Sequence, residues 1–506
     1  MPPTDQTTMN YLGIDIGSSR CKSVVFDRNG QQLAMANREY NVIFSDDGGA
    51  ELNSDEVIAK CLEAIKECSS QVQANSIVGM GISSQGEAFT AIGKNGETLC
   101  HAMISSDTRS EPYVSPWTEK FGKEKLYRIT GHTPHPMFTV YKLLWLRENN
   151  PEVWQNTEKF LCFEDLLQYR LGLKPSIGYS LAGRTMMFDV HKHQWSSEIL
   201  DSLNIAPGQL PKPMPSGTVV GHLDRKVCRA LGLADNAFVV TGGHDQACSA
   251  LGSGITEPGL AMYATGTVEC ITSIFDNPVV SDNLYKNNLC IYDHTVSEMY
   301  VTIAYNLTGG NILKWVRDEF GYKERVEAEK TGLDVYQLLL REMGERPSNL
   351  LVLPYFTPSG TPYFDTKTKG AILGLRLSTT RGEIIRGLLE GVAFEMRLNM
   401  EILKKSGCKI NELRAVGGGA KSVIWTQLKA DVLGKKITTL NVTEAGCLGV
   451  AMLACSTHTG KTIQKLAANW VIPVSTIIPK IENKKWYDRQ FEQYRKLYGQ
   501  IKGIYH

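Results

Sequence analysis

The chemistry this sequence could carry lies in a few acids set beside turns of small residues. Asp15 ends the first apolar run and is followed by Gly17, Ser18 and Ser19. Such a turn lets backbone N–H groups approach an anion closely, and an acid beside it can hold a hydrated Mg²⁺. The same segment alone also reads as an ordinary hairpin with an acid at its strand end. Thr265-Gly266-Thr267 is its counterpart in mid-chain, and two such turns could grip one polyphosphate from both sides. Asp245, in Gly242-Gly243-His244-Asp245-Gln246, ends another apolar run. An acid there can accept the proton of a hydroxyl attacking a phosphoryl group, or can simply cap the helix that follows. Val416-Gly417-Gly418-Gly419-Ala420-Lys421-Ser422 leaves bare backbone against which a flat base could pack, and it lacks the ending of a P-loop. Gly309-Gly310 opens a helix whose amides could face a nucleotide.

These residues need strands to deliver them. Tyr11 to Ile16, Ser23 to Phe26 and Gln32 to Tyr40 read as an antiparallel meander with Asn29-Gly30 as a hairpin turn. Asp55 to Ser69 has helical periodicity, with Ser54 as its N-cap, and Ile77 to Ile82 is a buried strand. Leu260 to Ala264, Val268 to Ile274 and Tyr300 to Ala304 repeat strand, small-residue turn, strand in the second half. This predicts an α/β chain of duplicated architecture. At 506 residues two domains are expected. We place them at 1–248 and 249–506, with the catalytic cleft between. Lys484 to Ile501 reads as a terminal helix docked on the second domain.

Composition narrows the partners. The formal net charge of +1, with acids and bases interspersed, predicts no nucleic-acid partner. No apolar run reaches membrane-spanning length, and the polar start, MPPTDQTTMN, has no apolar core of a secretory signal, so a cytoplasmic protein is expected. Twelve scattered cysteines without a Cys-x-x-Cys pair argue against zinc and against a disulfide framework. Cys248, Cys447 and Cys455 read as buried thiols. The N-x-T matches at Asn306 and Asn441 read as chance.

Met137 to Asn149 matches the first signature of the FGGY carbohydrate kinases at its defining positions, and Gly370 to Leu375 through Leu388-Leu389-Glu390 resembles the second. Gly387 departs from it, standing where that family usually has Ala or Ser. With Asp15-x-Gly17, Gly243-x-Asp245-Gln246 and the Gly417 to Ser422 loop in family order, the resemblance covers nearly the whole chain. It implies two ribonuclease H-like domains related to the actin-like ATPases. It further implies ATP and Mg²⁺ as cofactors, with Asp245 as base, Asp15 and Asp245 at the metal, and Gly17, Ser18, Ser19, Thr265, Gly266 and Thr267 around the phosphates. Gly309, Gly310, Gly417, Gly418, Gly419 and Ser422 would bind nucleotide. For the acceptor, Gln85-Gly86-Glu87 falls where xylulose kinases carry Gln-Met-His and glycerol kinases Gln-Arg-Glu. Glu87 could accept hydroxyl hydrogens or be a solvated loop acid. Ser105-Ser106-Asp107-Thr108-Arg109 falls where the family commonly has Trp-x-Asp-x-Arg. Asp107 could bind a sugar hydroxyl with Arg109 behind it, or the two could form an internal ion pair at the cleft edge. With Gln246 beside the base, the combination looks most like ketopentose kinases, xylulose or L-xylulose, with a polyol or aldonate kinase and then an actin- or chaperone-like ATPase as alternatives. The expected partner is a small sugar or polyol, with a homodimer possible.

Overall fold

The computed structural model describes residues 9–278 and 280–505. The first eight residues of the polar leader, part of the segment read as carrying no secretory signal, lie outside these. Two mixed sheets organise the chain. The first contains β1 (Asn10–Ile16), β2 (Arg20–Asp27), β3 (Gln32–Glu39), β4 (Ile77–Ser84), β5 (Val219–His222) and β6 (Phe238–His244), in the order β5-β6-β4-β1-β2-β3. The second contains β7 (Gly259–Thr265), β8 (Glu269–Phe275), β9 (Tyr292–Asp293), β10 (Tyr300–Asn306), β11 (Ile410–Val416), β12 (Lys436–Leu440) and β13 (Pro473–Ile477), in the order β9-β10-β8-β7-β11-β12-β13.

The pairings superimpose one sheet's plan on the other. β1 is antiparallel to β2 and parallel to β4; β7 is antiparallel to β8 and parallel to β11. β2 pairs with β3 as β8 does with β10, and β4 with β6 as β11 does with β12. The outer antiparallel pairs β5/β6 and β12/β13 also correspond. Only the short β9 has no counterpart in the first sheet. The sequence pattern behind this is short: an apolar strand, a small-residue turn and a returning strand, closed by a parallel neighbour that needs a crossover.

Helix α1 (Ser54–Ser70) buries Val57, Ile58, Cys61, Ala64 and Ile65 against the first sheet's core. Its N-cap is Asn53, whose side chain accepts from Glu56 N, and not the expected Ser54. Ser54 is buried and hydrogen-bonds Thr90 Oγ1 instead. Helix α2 (Thr139–Asn149) is the first-signature helix. After β6 comes α3 (Asp245–Gly252), after β10 α4 (Gly310–Phe320), before β11 α5 (Arg381–Lys405), after it α6 (Val423–Leu433), after β12 α7 (Ala445–Thr459), and α8 (Ile481–Tyr505) ends the chain. Tyr487, Phe491 and Tyr494 of α8 pack on Phe394 of α5, so the terminal helix docks within the second half. Gly387 on α5 lies where a Cβ would come 3.2 Å from Leu350 Cβ and 3.3 Å from Ser348 Oγ, which accounts for the missing methyl.

Helix α7 crosses from the second half onto the first sheet. A side chain at Gly13 would strike the Cys447 carbonyl, and one at Gly81 the Val450 carbonyl. Helices α3 and α7 meet backbone to backbone: a side chain at Gly252 would strike the Ala445 carbonyl, and one at Gly449 the Cys248 carbonyl. The twelve cysteines are free thiols, with Cys248, Cys447 and Cys455 buried. Asn306 is buried within β10. Among the described residues no helix is long and apolar enough to cross a membrane.

Candidate active site

The parallel strands β1, β4 and β6 end at one edge of the first sheet, the place where open α/β sheets bind ligands. Register puts Asp15 opposite Ser83, and Gly243 and His244 opposite Ser83 and Ser84. Ser83 Oγ donates to Asp15 Oδ1 at 2.7 Å. Withdrawal from water raises the Asp15 carboxyl above the usual carboxylate range, with Ser83 and Lys22 opposing and Glu444 reinforcing the shift. Lys22 lies opposite Asp15 in the β1–β2 hairpin and reaches Glu444 Oε2 of the second half at 2.5 Å. Within the turn, Tyr40 Oη and Gln85 Nε2 both donate to Gly17 O, at 2.7 and 3.1 Å. Ser18 and Ser19 stand exposed at its tip.

Asp245 is the first residue of α3, and the cap position is His244, so the reading of Asp245 as a cap falls away. Its side chain is 29% exposed to the cleft. Desolvation by the surrounding protein pushes its carboxyl up to about 7; Asp15 and Glu87 add to the rise, and the Gln246 amide and Arg184 oppose it. His244 Nε2 stands 3.2 Å from Asp245 Oδ1, while its Nδ1 pairs with Tyr292 Oη at 2.8 Å. Burial, with Arg184 and His132 nearby, keeps the His244 ring neutral. Gly86 leaves room for this ring: a Cβ there would come 3.0 Å from His244 Cδ2 and Nε2.

Glu87 is no solvated loop acid. It is 3% exposed, has φ 64°, and takes Arg184 Nε on Oε1 at 2.5 Å. Its backbone carbonyl is held by Thr139 Oγ1 at 2.8 Å and Lys142 Nζ at 3.3 Å. Helix α2 thereby pins the loop after β4. Burial pushes the Lys142 ammonium down to about 8, against the pull of Glu87 and Asp107. Of the two readings of Asp107 and Arg109, the internal ion pair is the one seen. Asp107 is 1% exposed and its oxygens accept from Ala50 N at 2.9 Å, Arg109 N at 3.1 Å and Arg109 Nη2 at 2.6 Å. Arg109 also pairs with Glu51 and stacks over Trp145 at 4.3 Å, so the two form an internal ion pair behind the cleft.

Several buried polar atoms around the ends of β4 and β6 lack a protein partner: Gln85 Oε1, Gln246 Oε1 and both ring nitrogens of His132. The His132 ring lies between Phe138 and Tyr292, with centroids at 4.9 and 5.4 Å. Such atoms in a folded interior are met by ordered water, an ion or a ligand. Arg184, His132 and Tyr292 escaped the sequence reading. His244 sat inside a motif that drew attention only to its neighbour.

Across the cleft, a cavity of about 630 Å³ is lined by Thr265, Gly266, Thr267, Gly310, Gly418, Gly419 and Ser422 and walled by Leu313, Tyr336, Leu340 and Trp425. The glycines do different work from that expected. Gly310 N donates to Gly266 O at 2.8 Å, Asn311 N to Thr267 O at 3.2 Å, and Gly309 N to Asn311 Oδ1 at 2.8 Å. The Gly310 and Asn311 amides therefore hold the Thr265–Thr267 turn, and the Gly309 amide is taken up by the Asn311 side chain. Gly417 and Gly419 make room for Thr265, whose carbonyl and methyl would collide with side chains there; Gly418 alone meets open space. Ser422 caps α6, accepting from Trp425 N at 3.3 Å.

Residues 10–252 match the N-terminal domain of the FGGY family of carbohydrate kinases, and residues 261–458 match its C-terminal domain. The chain belongs to this family. It is 27% identical over 500 residues to the xylulose kinase of Bacillus subtilis (strain 168), covering 98% of each chain. It is also 27% identical over 450 residues to the gluconokinase of the same organism, covering 88% of this chain and 87% of the other. The fold matches the crystal structure of gluconate kinase from Lactobacillus acidophilus with a TM-score of 0.90 at 24% identity, over 98% and 99% of the two chains. The two α/β domains with mixed sheets are thus those of a carbohydrate kinase, consistent with an actin-like fold. ATP with Mg²⁺ is the donor typical of FGGY kinases. The residues fit a divalent ion at the cleft: Asp15 and Asp245 lie close enough that the Asp15 charge raises the Asp245 carboxyl, which a cation between them would relieve. Among the described residues no group of three or more His, Cys, Asp or Glu forms a closed metal cage, and Mg²⁺ carried by phosphates needs only one or two carboxylates.

Proposed function

We propose that this FGGY kinase phosphorylates a hydroxyl of a ketopentose such as xylulose from Mg-ATP, with Asp245 as general base. The observation that carries the reading is the environment of Asp245. A carboxyl pushed up to about 7 accepts a proton near neutral pH more readily than an ordinary aspartate, and a polyhydroxyl ligand can satisfy the orphaned polar atoms around the ends of β4 and β6. Asp245 accepts the acceptor's proton as the hydroxyl oxygen bonds to the γ-phosphorus and the bond from that phosphorus to the ADP oxygen breaks, releasing ADP. Asp15 and Asp245 would hold Mg²⁺, and the ion would supply charge neutralisation on the phosphate oxygens. The amides of Ser18 and Ser19 on one side and of Thr267 on the other would bind those oxygens. The apolar walls Leu313, Leu340 and Trp425 suit a purine ring. Gln85, Gln246, Glu87 and His132 form the acceptor site, Asp107 and Arg109 its support. Each half, 1–248 and 249–506, is read as one ribonuclease H-like unit, and a cytoplasmic protein, with a homodimer as one assembly, suits the reading.

Polyols and aldonates belong in the test, because the gluconokinase relative shares the same 27% identity, over 450 residues against 500 for the xylulose kinase. The test is ADP release from Mg-ATP with D- and L-xylulose, D- and L-ribulose, glycerol, erythritol, threitol and gluconate in turn. One ketopentose should stimulate strongly, and Asp245→Ala should lose about 10²–10⁴-fold of that rate. Stimulation by gluconate or a polyol alone replaces the acceptor. Turnover indifferent to every acceptor replaces the kinase with an ATPase.

A further inference from the structure

Helix α6 carries a buried lysine that no signature of the sequence marks. Lys429 is 3% exposed. Its Nζ donates to Thr265 Oγ1 at 2.6 Å and pairs with Glu269 Oε1 at 2.6 Å. It lies 4.1 Å from the centre of the Trp425 ring and 4.8 Å from that of Tyr263. Tyr263 Oη in turn donates to Glu269 Oε2. Glu269 is fully buried, so the ammonium cannot swing to water without abandoning a charge.

The consequence lies in what the hydroxyl can still do. An ammonium only donates, so Thr265 Oγ1 must accept from it, and the hydroxyl's own hydrogen needs another acceptor. None is found among the described residues. Trp425 presents the same situation: its Nε1 is buried without a partner, and both residues line the 630 Å³ cavity. Gly417 and Gly419 leave Thr265 the room to sit there, since a Cβ at either would collide with it. Two residues that each carry a donor without an acceptor thus line one cavity, and one ammonium touches both side chains.

We infer that Lys429 is a positioning residue for the nucleotide, holding the Thr265 hydroxyl and the Trp425 indole N–H as donors toward it. This rests on the reading of that cavity as the nucleotide site. The ammonium itself stays behind the wall, in contact with Glu269.

The test is Mg-ATP affinity by calorimetry, with ATP and acceptor KM measured separately. Lys429→Met alone strands Glu269, so the informative variant is the neutral pair Lys429→Met/Glu269→Gln, in which the introduced amide can still accept from Tyr263. It should weaken Mg-ATP binding about 10-fold, the scale of a hydrogen bond to a charged group, with acceptor KM unmoved. Thr265→Val should do the same, Thr265→Ser should recover most of the loss, and adding Thr265→Val to the neutral pair should cost little more. Unchanged Mg-ATP affinity in the neutral pair, or full additivity with Thr265→Val, overturns the inference alone. Failure of the unmodified protein to bind Mg-ATP overturns the nucleotide-site reading and this inference with it.

Discussion

The turns after β1 and after β7 occupy equivalent places in two sheets of the same plan, and they are furnished in opposite ways. The first is preceded by an acid, Asp15, tied to Ser83, and its Gly17 carbonyl is gripped by Tyr40 and Gln85. The second is preceded by a hydroxyl, Thr265, tied to a buried lysine and packed by Gly309, Gly310, Gly417 and Gly419. One half offers acceptors, suited to cations and to protons leaving a hydroxyl. The other offers donors, suited to anionic oxygens. Backbone pairing fixed the frame in both, and side chains arriving from elsewhere in each half decided its polarity.

The comparison can be broken most sharply at Asp245. Asp245→Ala should cost about 10³-fold in kcat while Mg-ATP affinity, measured by calorimetry, stays within a few fold. Loss of nucleotide affinity in step with kcat would show that the acid belongs to both sides. Asp15→Asn should cost about 10²-fold, with part of the rate recovered at high Mg²⁺; a loss insensitive to Mg²⁺ would remove the ion from that side. The acid side should also titrate. With Asp245 pushed up to about 7, kcat/KM should fall about tenfold per pH unit below that value. The folded carboxyl lies above its unfolded value of 3.8, so its burden on stability is absent below about 4 and complete above about 7. Asp245→Asn should therefore raise Tm by a few °C at pH 8 and leave it unchanged near pH 4. Glu87→Gln should raise acceptor KM about 10-fold and leave ATP KM alone, since Glu87 is joined to Arg184 on the acid side only. The smallest contrast is on the donor side. Gly419→Ala should weaken Mg-ATP binding several-fold by driving into the Thr265 methyl, while Gly418→Ala, which meets open space, should change stability by less than about 0.5 kcal/mol.

What was legible in the sequence follows from range. Strands, turns and the order of their acids are local patterns, so β1, β2, β7 and β8 came out of apolar runs and small-residue turns. The duplication was faint because pairing direction depends on alternation and turn chemistry and hardly on residue identity. Partners far apart in sequence left no trace. Arg184 meets Glu87 across 97 positions, and Lys429 meets Thr265 across 164. Ser54 reads as a cap although Asn53 before it is equally able to cap, and burial against Thr90 decides between them. Gly309 and Gly310 read as facing a ligand because bare amides look alike until a neighbouring carbonyl is seen to take them.

Where α3 crosses α7, Gly252 and Gly449 put main chain against main chain, with Cys248, Leu251, Leu448 and Val450 packed around the crossing. A joint of that kind behaves as an axle: turning about it disturbs few rotamers, whereas sliding along it would drive peptide planes together. Asp245 opens α3 and Gly252 closes it, so the helix that carries the acid also carries one side of this joint.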